Sequence, residues 1–307
     1  MNIEELVFNY LTVPGGPNLI KSATRKQILF VDSNGGGSGT SGGLTPESAF
    51  TTLDAAVANL TASQGGKIYV LPGHAENITA ATSIALDVAG IEIIGIGENA
   101  LMPTFSATAA AGACTISAAN VTLRNLKFVA NFAGGCTNAI DIAAGGDGCT
   151  LDNIVMRDTT SDKEWLVHVA VATTVDDLVI KNCDFRGIVA GSMTNSILFA
   201  GTSTNTTIQD SVIIVDSSDD TVDHLTGKAT NWFMRNCTVI NGDTTTALYC
   251  VRLEATSTGA TVNCQFGYDK VDAEVSLGAG AWWLRNWGSN TIADGGVAEP
   301  AGSAAIP

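Results

Sequence analysis

The chain has 307 residues, 45% of them hydrophobic and only 15% charged, with 33 glycines and 7 prolines. Its 30 acidic residues outweigh 15 basic ones, for a formal net charge of −15. A body this acidic repels phosphate backbones, which argues against a nucleic-acid partner, and so little charge amid so much glycine argues against long helices and for short strands joined by small-residue bends.

Glu4 and Glu5 stand where an export signal needs Lys or Arg, and no apolar run approaches the roughly 18 residues of a membrane span. Neither a signal peptide nor a membrane partner is therefore expected. The seven cysteines are odd in number and form no Cys-x-x-Cys, which predicts reduced thiols in a protein made in a cytoplasm.

In chain order, residues 1–27 carry no repeat and read as an arm that docks on a partner. Ile28-Leu29-Phe30-Val31 suits a strand. The glycine loop from Gly35 to Gly43 is not followed by Gly-Lys-Ser/Thr, so it is no phosphate-binding loop. A short helix is expected at about 51–62: Thr51 or Thr52 can cap it, and Leu53, Ala56, Val57 and Leu60 form an apolar stripe. Asp54 would favour its N-terminal end. Such a helix, ahead of a strand series, would close the open end of a solenoid. Ile68-Tyr69-Val70-Leu71 then reads as a strand turned by Pro72-Gly73.

From residue 120 one pattern recurs: Val121-Thr122-Leu123-Arg124-Asn125-Leu126-Lys127-Phe128, then equivalents around Asn153, Asn182, Asp210 and Asn236. The interval is about 28 residues and each copy alternates apolar with polar, the period of a strand. No copy is long enough to hold a helix of its own. The pattern predicts an all-β fold, a right-handed parallel β-helix over 28–287, with residues 288–307 as a Gly/Ala/Pro-rich tail. Asn125, Asn153, Asn182, Asp210 and Asn236 would form a structural ladder: Asx residues tolerate the left-handed bend between strands, and a buried amide can donate and accept along a stack. Gly95 looks like an earlier occupant of the bend, and Val262-Asn263-Cys264 a later one.

These coils, the entry from Ile28 to Leu60 and the Ile68-to-Gly73 turn resemble the pectin-lyase-like superfamily of β-helices, and within it the β-helix proteins of tailed phages. The resemblance implies a virion structural protein: a homotrimeric capsid decoration or cement protein, assembled in the host cytoplasm and bound to partners such as the major capsid protein. The alternatives are a tailspike-type polysaccharide depolymerase or a non-catalytic adhesin for a host surface glycan. No Arg-x-Pro occurs, so the lyase signature of the superfamily is missing, and the reading favours a structural protein over an enzyme, without a cofactor.

Candidate sites are few. Asp152, Asp158, Asp176, Asp177, Asp184 and Asp210 are the carboxylates from which a glycosidase pair would be drawn. Val222-Asp223-His224 echoes an Asp-His pair. Asp216, Asp219, Asp220 and Asp223 are the densest acidic group, with oxygen chemistry suited to Ca²⁺. His168 alternates with apolar residues and is expected to point outward. Cys183 and Cys237 read as core-filling thiols, two coils apart. Trp282, Trp283 and Trp287 are expected to cap the far end or to form an interface.

Overall fold

Three columns of short strands wind as one right-handed parallel β-helix in the computed structural model, which describes residues 27–35, 42–61, 65–172, 174–188, 192–224, 226–243, 249–268, 275–276 and 280–288. Apart from Gln27 and Gly288, the two expected arms lie outside the described residues, as does most of the glycine loop.

The first column begins with Gln27–Val31, Gly66–Val70 and Ile91–Gly95 and ends with Thr258–Val262 and Gly280–Leu284. The second runs from Ala75–Ile78 to Trp287–Gly288, and the third from Ile84–Leu86 to Val275–Ser276. Thr122–Ala130 and Thr150–Asp158 are long enough to serve the first column with one half and the second with the other. Neighbouring coils pair in parallel, in register: Leu29 lies against Ile68, Ile68 against Ile93, Ile93 against Leu123 and Leu123 against Leu151.

That register turns the two-residue alternation of the sequence into a core. Leu29, Ile68, Ile93, Leu123, Leu151, Ile180, Ile208 and Met234 stack inward in one line, all fully buried. Phe105 and Phe128 stack beside them, ring centroids 5.5 Å apart. Each buried apolar side chain contributes roughly 1.5–3 kcal/mol, so a one-residue slip of any strand would expose a whole row.

The capping helix is shorter than expected, Leu53–Val57. Thr52 is its N-cap, accepting from the Ala55 amide at 3.3 Å, and Leu53, Ala56 and Val57 are buried against the first coils. The carboxylate of Glu76 accepts from the Leu53 amide at 2.9 Å. Asp54 instead ties the helix to the third column, accepting from the Ala85 amide at 3.1 Å. Among the described residues no helix is long and apolar enough to cross a membrane.

Candidate functional site

The bend between the first and second columns places Asn125, Asn153, Asn182, Asp210, Asn236 and Asn263 in one line, each with φ between 51° and 56°. Arg285 takes the same conformation in the last coil, at φ 53°. The ladder differs from expectation in three ways. Its side chains sit at the surface, because the bend is a convex corner: Asn153, Asn182, Asp210 and Asn236 are exposed. It is also interrupted. Asn153 donates to Asn125 Oδ1 at 2.8 Å, but Asn182 donates to Asp152 Oδ1 instead, at 2.8 Å, and the run resumes with Asn236 on Asp210 and Asn263 on Asn236. Finally, Gly95 is not a left-handed residue. A Cβ there would lie 2.0 Å from the Asn125 carbonyl oxygen, so glycine is required by close approach, and Asn125 Nδ2 uses the space to donate to the Gly95 and Gly97 carbonyls at 2.8 and 2.9 Å.

A second line of left-handed residues precedes the first column. Gly90, Asn120, Gly148, Asp177, Asn205 and Asn231 all have positive φ, Gly90 five positions ahead of Gly95 and each of the others five ahead of a residue of the first ladder. Asn205 donates to Asp177 and Asn231 to Asn205, at 2.8 and 2.9 Å. The signal was present in the sequence as the same interval at a fixed offset.

The carboxylates sort by environment. Asp152 lies between Arg124 at 3.1 Å and Lys181 at 3.5 Å. Asp184 is paired with Arg157 and with Arg186. Asp176 accepts from the Thr204 amide at 2.7 Å, and Asp177 and Asp210 occupy ladder positions. Asp158 is different: its two oxygens accept from the Trp165 and Ile188 amides, both at 3.0 Å, while burial pushes its pKa up to about 6, the nearby charge of Glu164 adding to the effect. Glu164 is 2% exposed, with Oε2 lacking any hydrogen-bond partner. Nothing in the sequence marks Glu164, a charged residue at an ordinary strand entrance.

Asp219, Asp220 and Asp223 come together on the turn into the third column, with ligand oxygens within 4.8 Å of one another. Asp216 does not join them. Asp220 is almost fully buried. It accepts from the Tyr249 amide at 2.8 Å and from Arg252 at 3.3 Å, and burial still holds its carboxyl above the usual range. Asp219 Oδ1 accepts from the Asp220 amide at 2.8 Å. Three of the group's oxygens are thus engaged within the protein, and Arg252 offsets part of the charge a Ca²⁺ ion would need.

Asp223 and His224 lie on opposite faces of the strand Val222–His224. The His224 ring points into the core, stacked on Phe199 with centroids 4.4 Å apart. Its Nδ1 donates to the Gly227 carbonyl at 2.8 Å, so Nε2 accepts from Ser203 Oγ at 2.7 Å. The geometry is that of a nucleophile and base, yet Ser203 is 2% and His224 0% exposed, and no substrate reaches a group so enclosed. His168 also faces inward, contrary to expectation, with Nδ1 2.9 Å from Ser196 Oγ; the strand Trp165–Val171 buries Val167, His168 and Val169 in succession, which breaks the alternation. All seven cysteines are buried free thiols. Burial pushes Cys183 up to about 12, and Cys264 Sγ lies 3.4 Å from the Cys237 amide, one coil on.

Trp282 and Trp287 are 41% and 67% exposed, so neither acts as a plug for the core. The Trp283 side chain lies outside the described residues. A cavity of about 520 Å³ opens beside the first ladder, lined by residues 95–99, Met102, Asn125 and Asn153.

No family model and no curated protein matches the chain. Among solved structures, the sacteLam55A protein of Streptomyces sp. SirexAA-E, determined with glucose, matches at 10% identity and TM-score 0.50, over 77% of this chain and 48% of that one. The chain thus spans about half the length of that structure. The pectin methylesterase of Aspergillus niger matches at 13% identity and TM-score 0.44, over 91% and 90%. The tailspike gp49 of Acinetobacter baumannii bacteriophage Fri1, a capsular polysaccharide depolymerase, matches at 13% and 0.35, over 86% and 55%. What these structures share with this chain is the parallel β-helix fold. At these identities the likeness is one of fold, and the β-helix must be read from its own residues.

Proposed function

We propose that the chain is a structural protein of a phage particle, a homotrimeric decoration or cement protein held at the particle surface by the major capsid protein. The observation that carries this reading is the bonding along the outward face of the first column. Lys67 pairs with Glu92 at 2.7 Å, Glu92 with Arg124 at 3.5 Å, Arg124 with Asp152 and Asp152 with Lys181. Arg235 continues the series by donating to Gln209 at 3.1 Å. Charged side chains that reach from coil to coil stiffen a rod and leave little free chemistry on that face. The buried free thiols suit assembly in a host cytoplasm. The test is to add purified protein to particles that lack it. Binding, with improved survival of heat or osmotic shock, is expected; particles that neither bind it nor change would overturn the reading.

One observation favours a second reading, a polysaccharide depolymerase. Asp158 keeps its proton toward neutral pH beside a second buried carboxyl, as a glycosidase acid must. Shortening of host surface polysaccharide that is lost in Asp158→Asn would establish it; binding without shortening would instead mark an adhesin.

A further inference from the structure

We infer that the cavity beside the first ladder binds an organic cation, a guanidinium or ammonium head on an aliphatic stem. The inference goes beyond the structural reading and does not depend on it, because the site lies within one chain.

The cavity exists because one corner of the solenoid carries an insert. From residue 122 onward the chain passes from the first column to the second through two residues or none. One coil earlier, residues 96–103 intervene between Gly95 and Thr104. The insert is tied to the coils on either side. The Leu101 carbonyl accepts from the Gly73 amide at 2.8 Å, and the Pro103 carbonyl from the Lys127 amide at 2.9 Å. The Met102 carbonyl accepts from Thr104 Oγ1 at 3.0 Å. A loop held in this way is a preformed wall. With Asn125 and Asn153 it bounds about 520 Å³, within the ~300–1,000 Å³ of small-molecule sites.

The lining selects the ligand. Glu98 is the one lining residue with a formal charge. It is exposed, and among the described residues its carboxylate meets neither a cation nor a hydrogen-bond donor. Arg124, next to Asn125 in sequence, is already engaged by Asp152 at 3.1 Å and Glu92 at 3.5 Å. The ladder adds an acceptor. Asn125 Nδ2 donates to the Gly95 and Gly97 carbonyls, so its Oδ1 faces Asn153, which must answer with Nδ2. Asn182 turns aside to Asp152, and Asn153 Oδ1 is left without a donor among the described residues. Asn99, also exposed and without a side-chain partner among them, offers a further amide oxygen.

An anion would be repelled by Glu98. A neutral ligand would take water from the carboxylate without supplying a counter-charge. A cation avoids both costs, and the net charge of −15 draws it in. A bare metal ion does not suit, since one carboxylate and a few amide oxygens fall short of the roughly six to eight close oxygens that Ca²⁺ takes, and the space far exceeds one ion. Ile96, 39% exposed, and Met102 supply an aliphatic wall. The stem of a lysine or arginine packs on such a wall while its head reaches the carboxylate. Arginine fits better, because its planar fork meets a carboxylate with two parallel hydrogen bonds. The head group is supplied by a basic residue of a partner protein or by a free polyamine.

The test follows the amide NMR signals of Gly97 and Asn99 in the full chain. The probes are N-acetylarginine methylamide, its uncharged analogue N-acetylcitrulline methylamide, spermidine and glucose. The arginine derivative should shift both amides saturably, with the citrulline derivative roughly tenfold weaker or silent. Glu98→Gln, at an exposed residue with no partner to lose, should weaken the arginine derivative by a similar factor. Asp162→Asn removes an exposed carboxylate elsewhere and should leave binding unchanged. Raising the salt from about 0.05 to 0.3 M should weaken it several-fold. Saturable binding of spermidine but not of the arginine derivative, lost in Glu98→Gln, would confirm the site and name a free polyamine as its ligand. No saturable shift with either cation overturns the inference, as does equal binding of the citrulline derivative, natural affinity in Glu98→Gln, or a response to glucose alone. Because the probes are small and the chain is alone, each of these failures leaves the particle reading standing.

Discussion

Asn236 donates its Nδ2 hydrogen to Asp210 Oδ1 at 2.9 Å, and Asp210, a carboxylate, has no hydrogen to pass to Asn182 one coil earlier. The ladder runs in one direction, each amide donating toward the N-terminus, so an Asp can receive but not continue it. The substitution Asp210→Asn restores the missing donor without changing the backbone, since both residues tolerate φ near 51°. It should stabilise the protein by about 0.5–1.5 kcal/mol, the net value of one hydrogen bond. The check is the denaturant midpoint; an unchanged or lower value would mean that Asn182 Oδ1 is already satisfied by water.

Arg285 adopts φ 53° where six coils use Asn or Asp. A side chain that gains nothing from the left-handed region costs roughly 1 kcal/mol there, so Arg285→Asn should stabilise the last coil by about that amount. Hydrogen exchange of the Gly280–Leu284 amides should slow by several-fold. Exchange that is unchanged would show that the Arg285 side chain gains elsewhere what its backbone loses.

Gly95→Ala should be costly for the opposite reason. Its Cβ would meet the Asn125 carbonyl oxygen at 2.0 Å, and neither backbone can retreat without breaking the Ile94–Arg124 register. A loss of about 2–3 kcal/mol in unfolding free energy is expected, the upper range of overpacking in a core. A loss below 0.5 kcal/mol would mean the two coils can separate freely.

The fold was legible because a β-helix repeats its signals. The Asx interval, the alternation of Leu123 with Arg124 and of Ile180 with Lys181, and the apolar stripe of the capping helix all state the same architecture locally. What the sequence hid depends on distance. Lys67 and Glu92 are ordinary surface charges until the register sets them side by side. His168 was misread because the strand Trp165–Val171 breaks its alternation, burying a polar ring that Ser196 then satisfies. Glu164 and Asp158 carry no motif, and nothing in the sequence tells them from the other acids. Asp216 was grouped with Asp219, Asp220 and Asp223 by proximity in sequence, but the turn brings only the last three together.

The pH dependence of stability should reflect His168 and Asp158 in opposite senses. Burial lowers the His168 pKa from 6.5 to about 3. In the unfolded chain the imidazole takes a proton below pH 6.5, while the folded chain refuses it until about pH 3, so stability falls as pH drops across that window. Asp158 is raised from 3.8 to about 6. Between those values the folded state holds a proton that the unfolded state has released, so stability falls as pH rises from 3.8 through 6 and is level above. The His168 window is the wider, and at about 1.4 kcal/mol per unit it outweighs the Asp158 contribution at acid pH. Burial also lowers His224, which adds in the same direction. Between pH 6 and 3.8 the two slopes nearly cancel, so the net acid destabilisation expected from this pair by pH 4 is only about 1 kcal/mol, arising between pH 6.5 and 6. His168→Gln should uncover the Asp158 slope, so that the acid loss between pH 6.5 and 4 disappears or turns into a gain, whatever it does to stability at pH 8, and Asp158→Asn should remove the opposing slope and so steepen the acid loss. A His168→Gln profile that keeps the natural slope would show that the acid sensitivity originates in other groups.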